Sequence, residues 1–599
     1  MTYVLGFSGL AGSHGIAEGH HPAVALLKDG RFIAGAAEER FNRIKNSPGV
    51  FPSRAIKWVL DDAGITFSDL DAIAWANDPV GGLERWRSRG NRRVTREAIM
   101  RMTEALRSPV LLRGKGATLL SDWLRPQDAV DYQRAQFAYH FGAEAFDIRF
   151  ECVDHHLSHA ASAYYPSGFD EATVITWDGS GDGLSGSVRH GVGVAMNVLQ
   201  EYWDFSIGQL YWLVHSYMKL SDEGSLMGLA AYGQPNEVLA PYVDAGRLWM
   251  DLGRLAGWTD PNSRHVGYSI TEMAKLAPRR GPDDGLEESH KDLAAELQLR
   301  VEEFCFEIVR RAVGTSGCRR IALAGGVGLN AIFNGKLRRD PDLCEDLFVQ
   351  PNPGDEGGSL GAACVVSQAL GCQAAEPMSH AYYGSSSSGP EIEAVLRNVG
   401  VPFSFLADDA LFERVAGCIA AGQVVAWVQG PMEWGPRALG NRSILADPRN
   451  SGSATRVNEA VKYRDAWRPF APSMLEEVAS TYLEDAHYSP YMIETYRVRP
   501  DKRSEIQAVV HADGTTRPQT VRRAVNPRYY DLIAAFGRLT GTPVVLNTSF
   551  NLKGEPIVRT PVDALRTFFG SGIDLLVMGN YMVQKGIVQQ TGVAATPVL

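Results

Sequence analysis

Two histidines four residues apart are the first candidates for a chemical site. His155 and His159 lie in the sequence Asp154-His-His-Leu-Ser-His. Side chains at positions i and i+4 of a helix share one face, about 6 Å apart, so both imidazoles could bind one transition metal. The protease motif HExxH needs a glutamate after its first histidine, and His156 stands there instead. Pairing of His156 with His159 at i, i+3 and a purely structural role both stay open.

Glycine-rich turns after predicted strands supply candidates for the remaining metal ligands. Asp178 opens the turn 178–183, and Asp355 lies in the turn 354–358. A third turn, Gly-Gly-Val-Gly, covers 325–328. Glycine lets backbone N–H groups approach a phosphate closely, and the N-terminus of a following helix favours anions. Three such turns resemble the phosphate clamps of actin-like, sugar-kinase-like ATPases, which predicts that nucleotide phosphates bind here.

Cationic side chains cluster in two segments of the last third of the chain, 435–442 and 461–470. The same segments hold Trp and Phe residues that would form an apolar wall beside the charges. Arginine binds phosphate through two parallel hydrogen bonds, whereas lysine acts as a point charge. We therefore expect an anionic substrate here rather than separate surface arginines. The cluster consists of Arg437, Arg442, Lys462, Arg464 and Arg468.

A polar segment at a predicted strand end, 546–551, contributes Asn547 and Ser549. Their amide and hydroxyl groups both donate and accept hydrogen bonds, which suits a ligand that carries an amide of its own. Ordinary turn chemistry is the alternative interpretation of this segment.

Alternating strands and helices must position these residues, and they predict an α/β fold. Residues 23–36 have the pattern of a β-hairpin turned by Asp-Gly, and residues 53–63 have helical spacing of apolar side chains. A second α/β block runs from 173 to 368 and repeats the strand-and-glycine-turn pattern, which indicates an internal duplication. A third block, with strands at 424–428 and 543–546, follows a polar linker at 383–390.

An arginine-rich, mostly helical insertion interrupts the first block at about residues 84–125. It contains nine arginines between Arg85 and Arg113. A solvated helical insertion is the simplest interpretation. A more specific interpretation is a lid or an acceptor-binding surface. RNA binding is less favoured, because aromatic residues for base stacking are scarce there.

Composition narrows the class of protein. The chain has 599 residues, enough for two or more domains, and a net charge of −10, which disfavours a broad nucleic-acid surface. Seven scattered cysteines without a CxxC pair indicate reduced thiols in a cytosolic protein. The N-terminus lacks the basic region of a signal peptide, and no run of about 18 apolar residues could span a bilayer. We therefore expect a cytoplasmic enzyme with no membrane or nucleic-acid partner.

Taken together, seven ordered motifs resemble the family of nodulation protein U and the cephem carbamoyltransferases, which are O-carbamoyltransferases. The resemblance spans nearly the whole chain. The seven motifs in this order are specific for the family, whereas any one of them alone is not. The motifs are Glu38-Glu-Arg-Phe-Asn-Arg-Ile-Lys45, His155-His-Leu-Ser-His159, Leu226-Met-Gly-Leu-Ala-Ala-Tyr-Gly233, Gly325-Gly-Val-Gly-Leu-Asn330, Gly435-Pro-Arg-Ala-Leu-Gly440, Arg468-Pro-Phe-Ala-Pro472 and Asn547-Thr-Ser-Phe-Asn551.

The resemblance implies two domains and a two-step reaction. Residues 1–380 would form an actin-like ATPase-fold domain similar to the tRNA threonylcarbamoyl-transfer protein, and residues 391–599 a YrdC-like domain. The YrdC-like domain would convert carbamoyl phosphate and ATP, bound with magnesium, into carbamoyl adenylate. The first domain would then transfer the carbamoyl group to a hydroxyl of a natural product such as an antibiotic, a glycoside or a polyketide. The acceptor, a homodimer and the identity of the metal stay open.

The resemblance also assigns roles to individual residues. His20 would be the base for the acceptor hydroxyl and Lys45 would stabilise charge beside it. A divalent metal, with iron expected, would be held by His155, His159, Asp178 and Asp355. Nucleotide contacts would come from Gly179, Gly325, Gly326 and Asn330. Carbamoyl phosphate and the ATP phosphates would be bound by Arg437, Lys462, Arg468, Arg517, Asn547 and Ser549.

Three departures from the family pattern bear on these roles. His21 follows His20 where the family has Asp, so either histidine could be the base. Ser225 replaces a lysine before the Met-Gly-Leu-Ala motif, and Gly328 stands where a larger residue is common.

Other activities fit parts of the pattern. A threonylcarbamoyl-transfer enzyme acting on tRNA shares both fold types but conflicts with the net acidity. A sugar kinase explains the glycine turns but not the cationic cluster. A metal-dependent scaffold without activity leaves the polar residues at strand ends unexplained.

Overall fold

Three large β-sheets with helices packed against them carry the candidate residues, and the predicted α/β class is confirmed. We call residues 1–372 the N-terminal region and residues 376–585 the C-terminal region. The computed structural model describes residues 1–9, 21–88, 126–255, 272–281, 284–372 and 376–585.

The first sheet has the strand order β3-β2-β1-β4-β5, and its strands are β1 Tyr3–Phe7, β2 Ala23–Lys28, β3 Arg31–Ala37, β4 Ala72–Trp75 and β5 Phe150–Cys152. Strand β1 pairs antiparallel with β2 and parallel with β4. The predicted hairpin between β2 and β3 is confirmed. Asp29 and Gly30 have φ angles of 49° and 86°, as a tight two-residue hairpin turn requires.

The second sheet repeats this arrangement. Its order is β12-β11-β6-β7-β8, with β6 antiparallel to β7 and parallel to β11. Both sheets of the N-terminal region therefore share one strand order and one set of directions, as an internal duplication would produce. The strands are β6 Glu171–Gly181, β7 Leu184–Val192, β8 Ala195–Tyr202, β11 Arg320–Ala324 and β12 Asp346–Val349; a small separate ladder contains β9 Val243–Asp244 and β10 Trp249–Met250.

An eight-stranded sheet forms the centre of the C-terminal region, in the order β13-β22-β21-β14-β15-β20-β16-β19. Its strand β20 extends past the predicted end at 546, so that Asn547 and Ser549 lie within the strand. The strands are β13 Ser404–Phe405, β14 Val425–Val428, β15 Arg442–Ala446, β16 Ala471–Leu475, β19 Gln519–Val521, β20 Val544–Ser549, β21 Leu575–Met578 and β22 Tyr581–Gln584; β17 Tyr496–Arg497 and β18 Thr515–Thr516 pair separately.

The helices cover the faces of these sheets. The predicted helix 53–63 is confirmed, whereas the predicted turn at 354–358 is wrong in part because a helix already begins at Asp355. The helices are α1 Glu39–Asn42, α2 Ser53–Ala63, α3 Pro79–Ser88, α4 Pro126–Phe141, α5 His155–Ser167, α6 Ile207–Tyr217, α7 Glu223–Leu229, α8 Leu252–Leu255, α9 Met273–Leu276, α10 Glu288–Ser316, α11 Ala331–Arg338, α12 Asp355–Ala369, α13 Gly389–Val399, α14 Asp408–Ala420, α15 Gly452–Val457, α16 Ala479–Tyr482, α17 Pro527–Thr540 and α18 Pro561–Phe569.

Helices α5 and α12 pack against each other, and each also contacts a different sheet of the N-terminal region. A Cβ atom at Gly361 would lie 1.7 Å from the carbonyl oxygen of Ser158, so only glycine permits this contact. The close packing brings the start of α12 beside the first turn of α5, where the histidine pair lies.

The hydrophobic cores of the two regions meet. Trp434 and Leu439, from the C-terminal region, are buried in clusters formed mainly by the N-terminal region. All seven cysteines carry free thiols. Among the described residues, no helix combines the length and the apolar character that crossing a bilayer requires.

Candidate functional site

The histidine pair lies on one face of α5, as its spacing predicts. Asp154 begins the helix as its N-cap and accepts a hydrogen bond from the backbone N–H of Leu157 at 2.7 Å. His155 and His159 follow in successive turns, and their Nε2 atoms are 3.1 Å apart. Both imidazoles therefore point toward the same position.

Two aspartates complete this group, and both were predicted as ligands. Asp178 lies in β6 and places Oδ2 3.0 Å from Nε2 of His159 and 3.6 Å from Nε2 of His155. Asp355, the first residue of α12, places Oδ1 3.5 Å from Nε2 of His159. One ligand atom from each of the four residues lies within 4.8 Å of every other.

The charges of the four side chains favour a bound cation. Burial disfavours the imidazolium form of His155, but the carboxylates of Asp178 and Asp355 outweigh this effect and raise its pKa to about 9. Burial opposes ionisation of Asp178, yet the two imidazoles hold its pKa well below the usual range. Two imidazole nitrogens and two carboxylate oxygens are ligands that divalent transition metals such as zinc and iron accept. The residues present thus fit a divalent metal.

His156 takes no part in the group, so its proposed pairing with His159 is wrong. The His156 side chain is fully buried, and Nδ1 lies 2.9 Å from the hydroxyl of Thr176. Burial and the neighbouring imidazoles lower the pKa of His156 well below its ordinary value, which keeps the ring neutral within the core.

The predicted nucleotide contacts surround the aspartate of β6. A Cβ atom at Gly326 would lie 3.1 Å from Oδ1 of Asp178, and that same oxygen accepts the N–H of Gly179 at 2.7 Å. Gly325 packs on the backbone of Trp177. The side chain of Asn330 is buried and begins α11 by accepting a hydrogen bond from the N–H of the residue three positions later. Its amide is thus committed to the fold, and its contact with nucleotide stays a prediction.

A second polar group lies around the first hairpin: the predicted acceptor base precedes β2, and Lys45 follows β3. His20 lies outside the described residues. The Nζ atom of Lys45 is 3.6 Å from Oε2 of Glu39, and the side chain of Lys45 is 48% exposed. The pKa of Glu39 is lowered because Arg40 and Lys45 outweigh its burial. Lys45 therefore faces a buried carboxylate as well as solvent.

Sequence reasoning missed two buried glutamates in this group. Glu39 lies within the first family-like motif, and Glu356 directly follows the predicted ligand Asp355. Burial and the carboxylate of Glu39 raise the pKa of Glu356, while His21 lowers it. The charge of His21 thus affects the pKa of both Glu39 and Glu356. The signal that could have indicated them was the density of acidic residues in both motifs.

Four arginines converge on a cavity of about 400 Å³ between the two regions. Burial and the positive charges of its neighbours lower the pKa of Arg437 to about 10 and that of Arg464 to about 9. Burial and the neighbouring arginines also lower the pKa of Arg517 well below its ordinary value. Like charges held this closely favour binding of an anion. The four side chains are those of Arg437, Arg464, Arg468 and Arg517.

Residues 13–364 match the family model of the carbamoyltransferase N-terminus, and residues 416–585 match that of the carbamoyltransferase C-terminus. The chain belongs to the carbamoyltransferase family. It is 38% identical to nodulation protein NolNO of Sinorhizobium fredii strain NBRC 101917 / NGR234 over 574 residues, which cover 94% of this chain and 79% of that protein. The predicted family membership is confirmed, and the chain is an enzyme of this family.

A second relative carries an activity in its name. The chain is 32% identical to 3'-hydroxymethylcephem-O-carbamoyltransferase of Amycolatopsis lactamdurans over 377 residues, or 61% of this chain and 66% of that protein. Full-length HypF in a phosphate- and nucleotide-bound form is 14% identical, with a TM-score of 0.32 over 62% of this chain and 46% of that one. A TM-score this low does not establish a shared fold.

In this carbamoyltransferase, the lysine and the polar residues of β20 form a group beside the arginines. Lys462 ends a π-helical turn, is buried, and donates to Oδ1 of Asn551 at 2.7 Å and to the hydroxyl of Ser549 at 3.0 Å. Burial and the charges of Arg464, Arg468 and Lys45 lower its pKa well below the ordinary value. Lys462 therefore lies within electrostatic reach of both the arginine cavity and Lys45.

Asn547 and Arg442 differ in what they offer a substrate. The Nδ2 atom of Asn547 donates to the hydroxyl of Ser473 at 2.9 Å, while its Oδ1 atom is buried and has no hydrogen-bond partner among the described residues. Arg442 donates to the backbone carbonyls of Gln429 at 2.7 Å and Ser385 at 3.0 Å. The expectation that Arg442 belongs to the anion site is wrong, because its guanidinium is committed to holding loops.

Proposed function

We propose that this carbamoyltransferase is an ATP-dependent O-carbamoyltransferase with two reaction centres. The observation that supports it best is the presence, in one chain, of a cavity lined by four arginines and a separate His₂Asp₂ group. The arginine cavity suits carbamoyl phosphate and ATP, since guanidinium groups bind phosphate oxygens bidentately. The transfer to oxygen follows the activity named for the cephem relative.

The donor half-reaction would take place in the C-terminal region. Water cleaves carbamoyl phosphate to carbamate and phosphate, and a carbamate oxygen then attacks the α-phosphorus of ATP. The products of that attack are carbamoyl adenylate and pyrophosphate. Arg437, Arg468 and Arg517 would neutralise the phosphate charge that develops, while Lys462 and Ser549 hold the polar end of the donor. A site closed to bulk water would keep the carbamate and the carbamoyl adenylate from being lost before transfer.

The acceptor half-reaction would take place in the N-terminal region. The hydroxyl oxygen of the acceptor attacks the carbonyl carbon of the adenylate, the bond to AMP breaks, and a histidine takes the hydroxyl proton. His20 and His21 are the candidates for this base, and Lys45 would stabilise the negative charge on the carbonyl oxygen. His155, His159, Asp178 and Asp355 would hold a divalent metal. When bound, the metal would act as a Lewis acid that orients the adenylate phosphate.

The two centres correspond to two proposed domains, residues 1–380 and 391–599. The repeated strand order of the first two sheets supports an actin-like fold for the first domain, which has two such halves. The sheet of eight strands behind the arginine cavity would be the YrdC-like domain.

The test is the donor half-reaction without an acceptor. Purified, metal-loaded protein is mixed with ATP and carbamoyl phosphate, and pyrophosphate and carbamoyl adenylate are measured by mass spectrometry. Both products are expected. If both are absent, and pyrophosphate and threonylcarbamoyl adenylate form instead when bicarbonate and threonine replace carbamoyl phosphate, the donor is of the threonylcarbamoyl type.

A further inference from the structure

A segment of the N-terminal region forms one wall of the arginine cavity. Gly224, Met227 and Gly228 line it together with the arginines, and a Cβ atom at Gly224 would lie 3.5 Å from Nη2 of Arg468. The segment around them packs directly on the loop that carries Arg468. The indole N–H of Trp467 donates to the carbonyl of Ser225 at 3.1 Å, and a Cβ atom at Gly228 would lie 3.3 Å from the ring of Pro469. The cavity is therefore completed across the boundary between the regions.

Asp222 lies at the start of this wall and makes two different contacts. Its Oδ1 atom accepts the backbone N–H of Ser225 at 2.8 Å and caps α7. Its Oδ2 atom lies 2.7 Å from Nη1 of Arg468. The side chains of Asp222 and Arg468 are 44% and 20% exposed. The helix cap thus holds a carboxylate against one of the four arginines that face the cavity.

The other arginines have no such partner. Within the described part of the chain, Arg437 and Arg517 make no hydrogen bond or ion pair through their side chains. Among the residues that the structure describes, the guanidinium of Arg464 donates to the backbone carbonyl of Pro469 alone, at 3.1 Å. The nearby carboxylate of Asp465 accepts the hydroxyls of Ser221 and Ser225. Among the described residues, Asp222 is the carboxylate paired with an arginine of this cavity.

We propose that Asp222 sets the affinity of the cavity for phosphoanhydrides by competing with them for Arg468. A phosphate that takes both guanidinium nitrogens of Arg468 must displace Oδ2 of Asp222 or lie beside its negative charge. Either outcome weakens binding and favours release of pyrophosphate after the donor reaction. The inference rests on the proposed assignment of this cavity to the donor phosphates.

The test uses inorganic pyrophosphate as the probe and the full-length protein. In Asp222→Asn the amide oxygen can still cap α7, since Asn is as good an N-cap as Asp. The competing charge is gone, so the Kd for pyrophosphate, measured by titration calorimetry, is expected to fall about three- to fivefold, as an ion pair this exposed allows. Asp222→Ser, which also keeps a capping oxygen, should behave alike and serves if the first variant does not fold.

Two matched variants isolate the effect. Glu223→Gln removes one negative charge from the next residue, which is exposed and, among the described residues, forms no ion pair with Arg468, so its Kd should stay near that of the wild type. In the background of Arg468→Ala, adding Asp222→Asn should give no further tightening. An unchanged or higher Kd for Asp222→Asn would refute the competition while leaving the cavity assignment in place. Failure of the wild type to bind pyrophosphate at all would refute both.

Discussion

Replacing Arg437 by methionine should stabilise the protein and abolish its binding of phosphate. The guanidinium of Arg437 faces the cavity, its Nε atom is buried without a partner among the described residues, and Arg468 repels it. Methionine keeps much of the apolar stem while removing the charge. The charge of Arg437 destabilises the folded protein, and we expect such a charge to be retained because it binds an anion.

The magnitude follows from the pKa of Arg437, which burial and Arg468 lower from 12.5 to about 10. Because the side chain is charged at pH 7 in both folded and unfolded chains, this difference corresponds to a charge disfavoured by about 3 kcal/mol in the folded state. Because water in the cavity screens this charge, Arg437→Met should raise the free energy of unfolding by about 1–3 kcal/mol. The melting temperature should rise by roughly 2–5 °C.

Differential scanning fluorimetry with and without inorganic pyrophosphate measures both effects. Wild-type protein should melt at a higher temperature when pyrophosphate is added, because a ligand that binds the folded state stabilises it. Arg437→Met should start from a higher melting temperature and show no further shift. The missing shift would show that the variant no longer binds pyrophosphate. The higher melting temperature without ligand would show that removing the charge of Arg437 relieves repulsion in the folded state.

Arg442→Met is the matched control, since burial lowers the pKa of Arg442 to about 10 as well. This arginine donates to the backbone carbonyls of Gln429, Gly430 and Ser385. Removing it leaves the carbonyls of Gln429 and Gly430 without this donor, although that of Ser385 still accepts the N–H of Met432, so the folded state should lose about 2–5 kcal/mol. A lower melting temperature for both variants would refute the reasoning, because it would show that Arg437 is also structural.

Three further predictions concern other parts of the molecule. His155→Ala should abolish carbamoyl transfer but preserve acceptor-free pyrophosphate release, and equal loss of both rates would contradict the division between centres. Gly181→Ala should lower metal content, measured by mass spectrometry, because its Cβ would lie 2.1 Å from the His155 ring, whereas Gly179→Ala, with no atom within 4 Å of its Cβ, should retain the metal. Burial lowers the pKa of His511 from 6.5 to about 4, so the unfolded chain binds more protons in this window and stability should fall as pH drops from 6.5 to 4. His511→Asn should flatten that part of a plot of melting temperature against pH, and an unchanged slope would show that His511 does not contribute.

Local patterns in the sequence determined several elements and the residue types of both centres. The hairpin predicted at 23–36 follows from its Asp-Gly turn, and the helix Ser53–Ala63 and the facing pair His155 and His159 follow from a periodicity of 3.6 residues. Such features depend on neighbours in the chain, so they can be read without knowing the fold. The cationic character of the anion site was likewise visible, because arginines cluster along two segments.

Only the tertiary structure decided which of these residues act together. Arg437 and Arg442 lie five residues apart, yet one faces the cavity and the other holds backbone carbonyls, since a strand begins at Arg442 and turns its side chain inward. Asp222 reaches Arg468 across 246 positions of sequence. Contacts of this kind depend on how sheets and helices pack, and no local periodicity encodes them.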